Sequence, residues 1–173
     1  MNRAILTILI ILTSLYFNRY NACSCIGESS LKKSIKNSDV IFNGITLNKK
    51  EFEINLNLNS KRKPYYITKV EYTFLIVNKF KGIDTKDTIK IITGVGNGDC
   101  GIEFMLGREY LVFAKYSNKY FQGGEIVSPF IYTDVCSRTK LSNKKEIKKI
   151  RRYCKKMKYR TLNETPHPNN QQR

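Results

Sequence analysis

Two cysteines separated by a single residue, Cys23 and Cys25, follow directly after an apolar N-terminal segment. If export removes the chain up to Ala22, Cys23 becomes the N-terminal residue and carries a free α-amine. An α-amine has a pKa of about 7.7–8.0, so it can lose its proton near neutral pH and donate to a metal ion. The carbonyl oxygen of Cys23 can bind the same ion, which closes a five-membered chelate ring. Because side chains alternate along an extended chain, both cysteines would point inward and Ser24 outward.

The N-terminal segment, residues 1–22, has the features of a secretory signal peptide. Arg3 supplies a positive start, and residues 4–17 are mostly apolar. This apolar run is shorter than the roughly 20 residues that a membrane span needs, and no later segment is long and apolar enough to span. We therefore predict a secreted or periplasmic protein that is cleaved before Cys23, although Tyr20 is larger than the residue usual at the −3 position. Attachment of a lipid to Cys23 is a less favoured alternative, because the residues before it make a poor lipoprotein signal.

The cysteine count favours disulfides over a metal site. Paired cysteines form disulfides in the oxidising compartment that export leads to, and an odd number leaves at least one thiol unpaired or paired between chains. The only histidine is His167, so neither a catalytic triad nor a metal cluster built on histidine is available. No spacing suggests Ser/Lys or carboxylate chemistry, and we predict a protein that is not an enzyme and has no cofactor of its own. The other three cysteines are Cys100, Cys136 and Cys154.

Alternating apolar and polar residues predict a series of strands in the middle of the chain. The clearest is 65–80, in which Val70, Tyr72 and Phe74 share one face; a strand of this length must bend, as barrel strands do. Residues 48–64 also alternate and predict a two-stranded projection or a hairpin edge. Short strands at turn-rich spacing predict a mainly β fold, either a small barrel or a sandwich. The remaining strands are predicted at 40–46, 88–93, 108–114 and, in broken form, 121–132.

Two helices are predicted to flank the strands. Leu31 and Ile35 are four residues apart and predict a short helix with a serine N-cap. A longer helix is predicted from Asn143 to about Tyr159, with Glu146 completing a capping box. Its apolar stripe must pack on something, so the helix belongs to the domain. The stripe consists of Ile147, Ile150, Tyr153, Cys154 and Met157.

The predicted organisation is one domain, 23–159, followed by a tail, 160–173, for which two prolines predict disorder. The net charge is +17, and loss of the two arginines of the signal peptide lowers it to +15. Residues 140–160 contain eleven Lys or Arg against one acidic residue. This concentration has two interpretations, a solvated helix face or a surface that docks on anionic glycans, lipid head groups or nucleic acid. The basic patch consists of Lys144, Lys145, Lys148, Lys149, Arg151, Arg152, Lys155 and Lys156.

The order of these features resembles the netrin-type (NTR) module, and specifically the N-terminal inhibitory domain of the tissue inhibitors of metalloproteinases. The resemblance covers about 23–158, and its most specific part is the Cys-x-Cys pair at a signal cleavage site. It implies an OB-like, five-stranded closed β-barrel flanked by α-helices. The other matching segments are Asn37-Ser38-Asp39, Lys79-Phe80-Lys81-Gly82, Cys100-Gly101, Gly107 to Ala114, and Cys136.

The resemblance also implies a disulfide pattern. The matching bridges would be Cys23–Cys100 and Cys25–Cys136. The third bridge of the family begins at a position that Lys36 occupies here. Cys154 is therefore left without an evident partner, and it is either buried in the helix stripe or available for dimerisation; we expect a monomer.

What the resemblance implies about function is inhibition of a zinc metalloprotease. The α-amine and carbonyl of Cys23 would chelate the zinc of the protease, Ser24 would enter the specificity pocket, and the 96–99 loop would make a second contact. The alternative is that two disulfides simply hold together a small exported domain, which would then be a non-inhibitory NTR binding module. The predicted contact residues are Cys23, Ser24, Cys25, Ile26, Gly27, Gly98, Asp99 and Cys100.

Overall fold

The computed structural model describes residues 23, 25, 30–56, 65–84, 87–96, 98–120, 124 and 126–163, and of 157–163 the backbone only. The described chain is mainly β, as predicted. The signal peptide and residues 164–173 of the tail lie outside the described residues. The elements are α1 (Leu31–Asn37), β1 (Val40–Asn55), β2 (Tyr66–Lys81), β3 (Thr88–Gly94), β4 (Glu109–Ser117), β5 (Phe130–Tyr132), β6 (Lys140–Leu141) and α2 (Lys144–Asn163).

All six strands belong to one sheet, in the order β1-β2-β3-β5-β4-β6. A further pairing between β1 and β4 makes a ring of five strands. The ring contains one parallel pair, β3 with β5, which meet only at Ile92 and Tyr132. β5 is three residues long where a strand over 121–132 was predicted, and the two-residue β6 was not predicted.

The two longest strands, β1 and β2, form a hairpin of 16 residues on each side. Beyond Ile45, β1 no longer pairs with β4 and continues with β2 as far as Asn55 opposite Tyr66. The predicted hairpin is thus confirmed for its described part. Phe52 on this hairpin packs edge-on against Tyr120 at 5.9 Å between ring centroids. The β1–β2 pair has three register shifts, and irregularities of this kind bend strands.

The core lies on both faces of β1 and β4, which explains their continuous apolar runs. One cluster includes Val40 and Phe42 of β1, fully buried together with Phe74 of β2. Ile41, which lies between Val40 and Phe42 in β1, faces the opposite way and packs in a second cluster with both helices. The members of this second cluster are Ile35, Ile41, Leu111, Phe113 and Ile150, with Leu31, Phe80, Tyr153 and Cys154 packed against it.

The start of α2 is fixed differently from the prediction. Asn143 accepts a hydrogen bond from the backbone N–H of Lys145 at 2.9 Å, as an N-cap does. Glu146, expected to complete a capping box, is instead paired with Arg138 at 2.7 Å and with Lys140. Partial burial alone would raise the pKa of the Glu146 carboxyl, but hydrogen bonds from these two cations outweigh it and lower the pKa. These ion pairs therefore attach the first turn of α2 to residues 138–140, which follow Cys136.

The helix α2 extends to Asn163, four residues beyond the predicted end. Its predicted apolar stripe packs on the domain at Ile150, which is fully buried, and at the half-buried Tyr153 and Cys154. No helix in the described ranges is long and apolar enough to cross a membrane.

Candidate functional site

The Cys-x-Cys pair is bonded to two separate loops. Cys23 forms a disulfide with Cys100, with Cα atoms 5.4 Å apart, and Cys25 forms one with Cys136, with Cα atoms 5.2 Å apart. These are the pairs that the resemblance implies, and Cys154 is the free cysteine. Ser24, Ile26 and Gly27, also predicted contact residues, lie outside the described residues.

The two loops that receive these disulfides are hydrogen-bonded to each other. The backbone N–H of Val135 donates to the carbonyl oxygen of Cys100 at 2.9 Å. Asp134 shapes the second loop, because its Oδ1 accepts from the backbone N–H groups of Cys136 at 3.0 Å and Ser137 at 2.8 Å. The two disulfides therefore join Cys23 and Cys25 to a pair of loops that are hydrogen-bonded to each other.

The first loop, residues 94–101, is built around Asp99. Its carboxylate accepts hydrogen bonds from the backbone N–H groups of Val95 and Gly96 at 2.9 Å and of Gly101 at 3.1 Å. The ammonium of Lys69, a buried residue of β2, lies 3.6 Å from the same carboxylate. Burial alone would raise the pKa of Asp99, but the three amides together with Lys69 lower it below its ordinary value. The carboxylate of the predicted contact residue Asp99 is therefore engaged inside the loop, where it fixes the positions of these three amides.

Two glycines allow the loop to close this tightly. A Cβ atom on Gly101 would lie 2.1 Å from backbone atoms of Gly94, and one on Gly94 would lie 2.1 Å from the carboxylate of Asp99. Between them, Cys100 has a φ of 60°, in the left-handed region that residues other than glycine rarely adopt. The disulfide and the Asp99 hydrogen bonds hold Cys100 in this conformation.

Several exposed groups surround the disulfides. Gly98 is exposed, and its carbonyl oxygen lies 3.7 Å from Sγ of Cys23; a disulfide sulfur carries no proton, so this is a van der Waals contact. Val95 and Val135, one on each loop, are 37% and 44% exposed. These valines were missed at the level of the sequence, because a single apolar residue in an irregular loop has no periodicity. They give the site two exposed apolar side chains.

A cleft of about 210 Å³ is lined by Cys136 together with residues of α1 and β4. Tyr132 lines it, and burial, followed by the nearby carboxylates of Asp134 and Asp99, raises the pKa of its phenol to about 12. Thr133 is buried and its hydroxyl donates to the carbonyl oxygen of Phe113 at 2.8 Å. The wall of the cleft beside Cys136 is therefore fixed by the hydrogen bond of Thr133. The phenol of Tyr132 in this wall is neutral at physiological pH.

Two other predicted features can be placed. All eight residues of the basic patch are exposed on α2. Among the described residues, no group of three or more His, Cys, Asp or Glu side chains is arranged to hold a metal ion.

No protein-family model matches the chain, and no curated protein matches its sequence significantly. The likeness to the NTR module therefore depends on the residues quoted above and stays a prediction.

Proposed function

We propose that the protein is an exported inhibitor of zinc metalloproteases that binds its target through residues 23–25. The observation that carries this proposal is that both cysteines of the pair are anchored to loops that are hydrogen-bonded to each other. Two covalent anchors within three residues remove most of the backbone freedom that binding would otherwise cost. A chain end fixed in this way is suited to enter an enzyme cleft without ordering itself there.

The chemistry of the proposed inhibition follows from the new N-terminus. Cleavage after Ala22 gives Cys23 a free α-amine next to its own carbonyl oxygen. A catalytic zinc in a protease has three protein ligands and an open position held by water. The amine and carbonyl of Cys23 displace this water and chelate the zinc, while Ser24 occupies the specificity pocket beside it. The zinc belongs to the protease.

The remaining contacts come from the residues that follow Cys25 and from the two loops to which Cys23 and Cys25 are bonded. Ile26 and Gly27 continue the inserted segment, and Gly98 with Cys100 lies alongside it. Val95 and Val135 add apolar surface from the two loops. Asp99 acts indirectly, by holding the 94–101 loop in shape.

The scaffold and location form part of the proposal. We take the ring of five strands with its two helices to be an OB-like closed barrel, which the strand order supports. The two disulfides support export, because such bonds persist in oxidising compartments. Intact-mass and N-terminal analysis of the exported protein would report where cleavage falls and whether Cys23 carries a lipid.

The decisive experiment compares one protein before and after removal of a leader peptide that ends directly before Cys23. With the leader in place the α-amine is absent, and we expect inhibition of a panel of zinc metalloproteases to be at least about 1,000-fold weaker, or about 4 kcal/mol. Removal of the leader should restore inhibition in the same folded, disulfide-bonded molecule. Equal inhibition in both forms would show that zinc chelation is wrong.

Substitution of Ser24 tests pocket insertion separately. Ser24→Gly should weaken inhibition, and larger side chains should change which proteases are inhibited. Identical inhibition profiles for all variants would count against insertion. A folded protein that inhibits no protease in either leader state would instead support the non-inhibitory binding module.

A further inference from the structure

The exposed surface of α2 carries a charge pattern that the proposed inhibition does not use. We call the eight exposed cations the basic face. Successive residues of an α-helix are rotated by about 100°, so these eight side chains fall within an arc of about 160°. The centre of this arc lies opposite Ile150, which is fully buried against the strands. The basic face consists of Lys144, Lys145, Lys148, Lys149, Arg151, Arg152, Lys155 and Lys156.

The charge of the basic face is not neutralised within the described part of the protein. Glu146 lies in the first turn of α2, and its carboxylate is paired with Arg138 and Lys140, which precede the helix. Among the described residues, no cation of the basic face forms an ion pair with a carboxylate. Arg151 donates to the side-chain oxygen of Asn78 at 2.9 Å, a neutral partner.

The neighbouring helix α1 also carries exposed positive charge. α1 packs in the same apolar cluster as α2, through Ile35 and Ile150. Its exposed side chains include Lys32, Lys33 and Lys36. The two helices that share this cluster therefore both carry exposed positive charge, which attracts polyanions.

We propose that the basic face binds a linear anionic polysaccharide. The eight cations extend from Lys144 to Lys156, which is about 18 Å along the helix axis and spans several anionic groups of such a chain. Positive charges arrayed in this way bind a polyanion with release of its counterions, so affinity depends steeply on salt. The proposal does not depend on the inhibition of proteases.

Two observations favour a flexible chain over a membrane surface. Helices that lie on membranes bury their apolar side in the bilayer, whereas Ile150, Tyr153 and Cys154 of α2 are packed against the protein core. In addition, side chains spread over an arc of about 160° cannot all face one plane, although a flexible chain can follow them. The proposed export of the protein further favours a polysaccharide over a nucleic acid.

The test uses heparin, a sulfated linear polysaccharide, as the probe. The variant K145Q/K149Q/R152Q/K156Q removes four charges and keeps good helix formers. We expect its dissociation constant at about 0.15 M salt to be at least about tenfold higher than that of the unaltered protein. The slope of log K against log salt should also become shallower, because fewer counterions are released.

The matched control removes the same number of charges elsewhere. K50Q/K90Q/R108Q/K119Q changes four exposed residues, one on β1, one on β3 and two just outside the ends of β4. Its heparin affinity should stay within about twofold, with circular dichroism confirming that both variants are folded. Equal weakening by both variants would overturn the proposal, because net charge alone would explain binding. Tighter binding to phosphatidylglycerol–phosphatidylcholine vesicles or to duplex DNA, at matched anion concentration, would also overturn it.

Discussion

The two surfaces with a proposed partner are constructed in opposite ways. The region around Cys23 and Cys25 is fixed by two disulfides, by the hydrogen bonds of Asp99 and by the close approach of Gly94 and Gly101. The basic face is a set of exposed side chains on a regular helix. Binding through the region around Cys23 and Cys25 depends on the position of a few backbone atoms. Binding through the basic face depends on the number of charges. Single substitutions should therefore affect the first region strongly and the second weakly, while salt should act mainly on the second.

The largest effect is expected from removing the second disulfide. C25S/C136S opens a bridge between residues 111 apart in the chain, and the chain-entropy model gives a loss of about 4–5 kcal/mol in the free energy of unfolding. Urea unfolding measures this loss. The control is C154S, which changes the half-buried free thiol and should cost no more than about 1 kcal/mol. Similar losses in the two variants would show that the disulfide does not fix this region.

The next effect comes from Gly101→Ala, which forces a Cβ atom to within 2.1 Å of backbone atoms. The backbone must shift, so we expect a loss of about 3 kcal/mol in the free energy of unfolding. Gly107→Ala is the matched control, since Gly107 has a φ of 74° but nothing within 4 Å of the added atom. The left-handed backbone conformation alone should lower the free energy of unfolding of this variant by about 1 kcal/mol. A larger loss for Gly107→Ala would contradict the tight closure of the 94–101 loop.

Asp99→Asn should have a smaller effect that depends on pH. The pKa of Asp99 is lowered in the folded protein, so the carboxylate contributes stability at pH values above its unfolded pKa of about 3.9. This contribution disappears as the pH falls through the folded pKa, because the acid is then protonated in both states. We expect Asp99→Asn to cost about 1–2 kcal/mol at pH 7. The difference from the unaltered protein should shrink below about pH 4, and a constant difference down to pH 2 would argue against the charged carboxylate as its cause.

The smallest expected effect has the opposite sign. Lysines and arginines at i and i+4 on α2, such as Lys145 and Lys149, repel one another at low salt, by about 0.2–0.5 kcal/mol per pair. K145Q/K149Q/R152Q/K156Q should therefore raise the free energy of unfolding by up to about 1 kcal/mol at low salt. The gain should vanish at about 1 M salt, where charges are screened. A destabilised variant would show that the basic face is part of the folded framework.

The elements whose residues repeat regularly were predictable from the sequence. The alternation in 65–80 located β2, and the spacing of Leu31 and Ile35 located α1, because both patterns reflect local geometry. β6 has only two residues, too few to alternate, and it exists because β4 offers a free edge. The second half of β1 was predicted as a separate hairpin element over 48–64, since the exposed residues 47–51 interrupt the buried pattern of 40–46.

The residues that shape the candidate site were only partly predictable. Cys23 and Cys25 stand out by spacing, whereas the role of Asp99 depends on three amides that the folded loop turns toward it. An Asp in a glycine-rich turn often bonds nearby backbone, and this signal could have indicated its role. Glu146 matched a capping box by position, but its partners Arg138 and Lys140 come from a neighbouring segment whose path is set by the fold.

The pairing of β1 with β4 has a consequence for how the protein folds. Val40 lies opposite Ala114, 74 positions later in the chain, and the ring of five strands contains this pair. Contacts of such long range must overcome a large loop-closure entropy before they stabilise anything, and β-rich domains with this topology fold in milliseconds to seconds. We therefore expect β1 to lack one of its two neighbours during the early part of folding. Its exposed strand edges would need protection until β4 arrives.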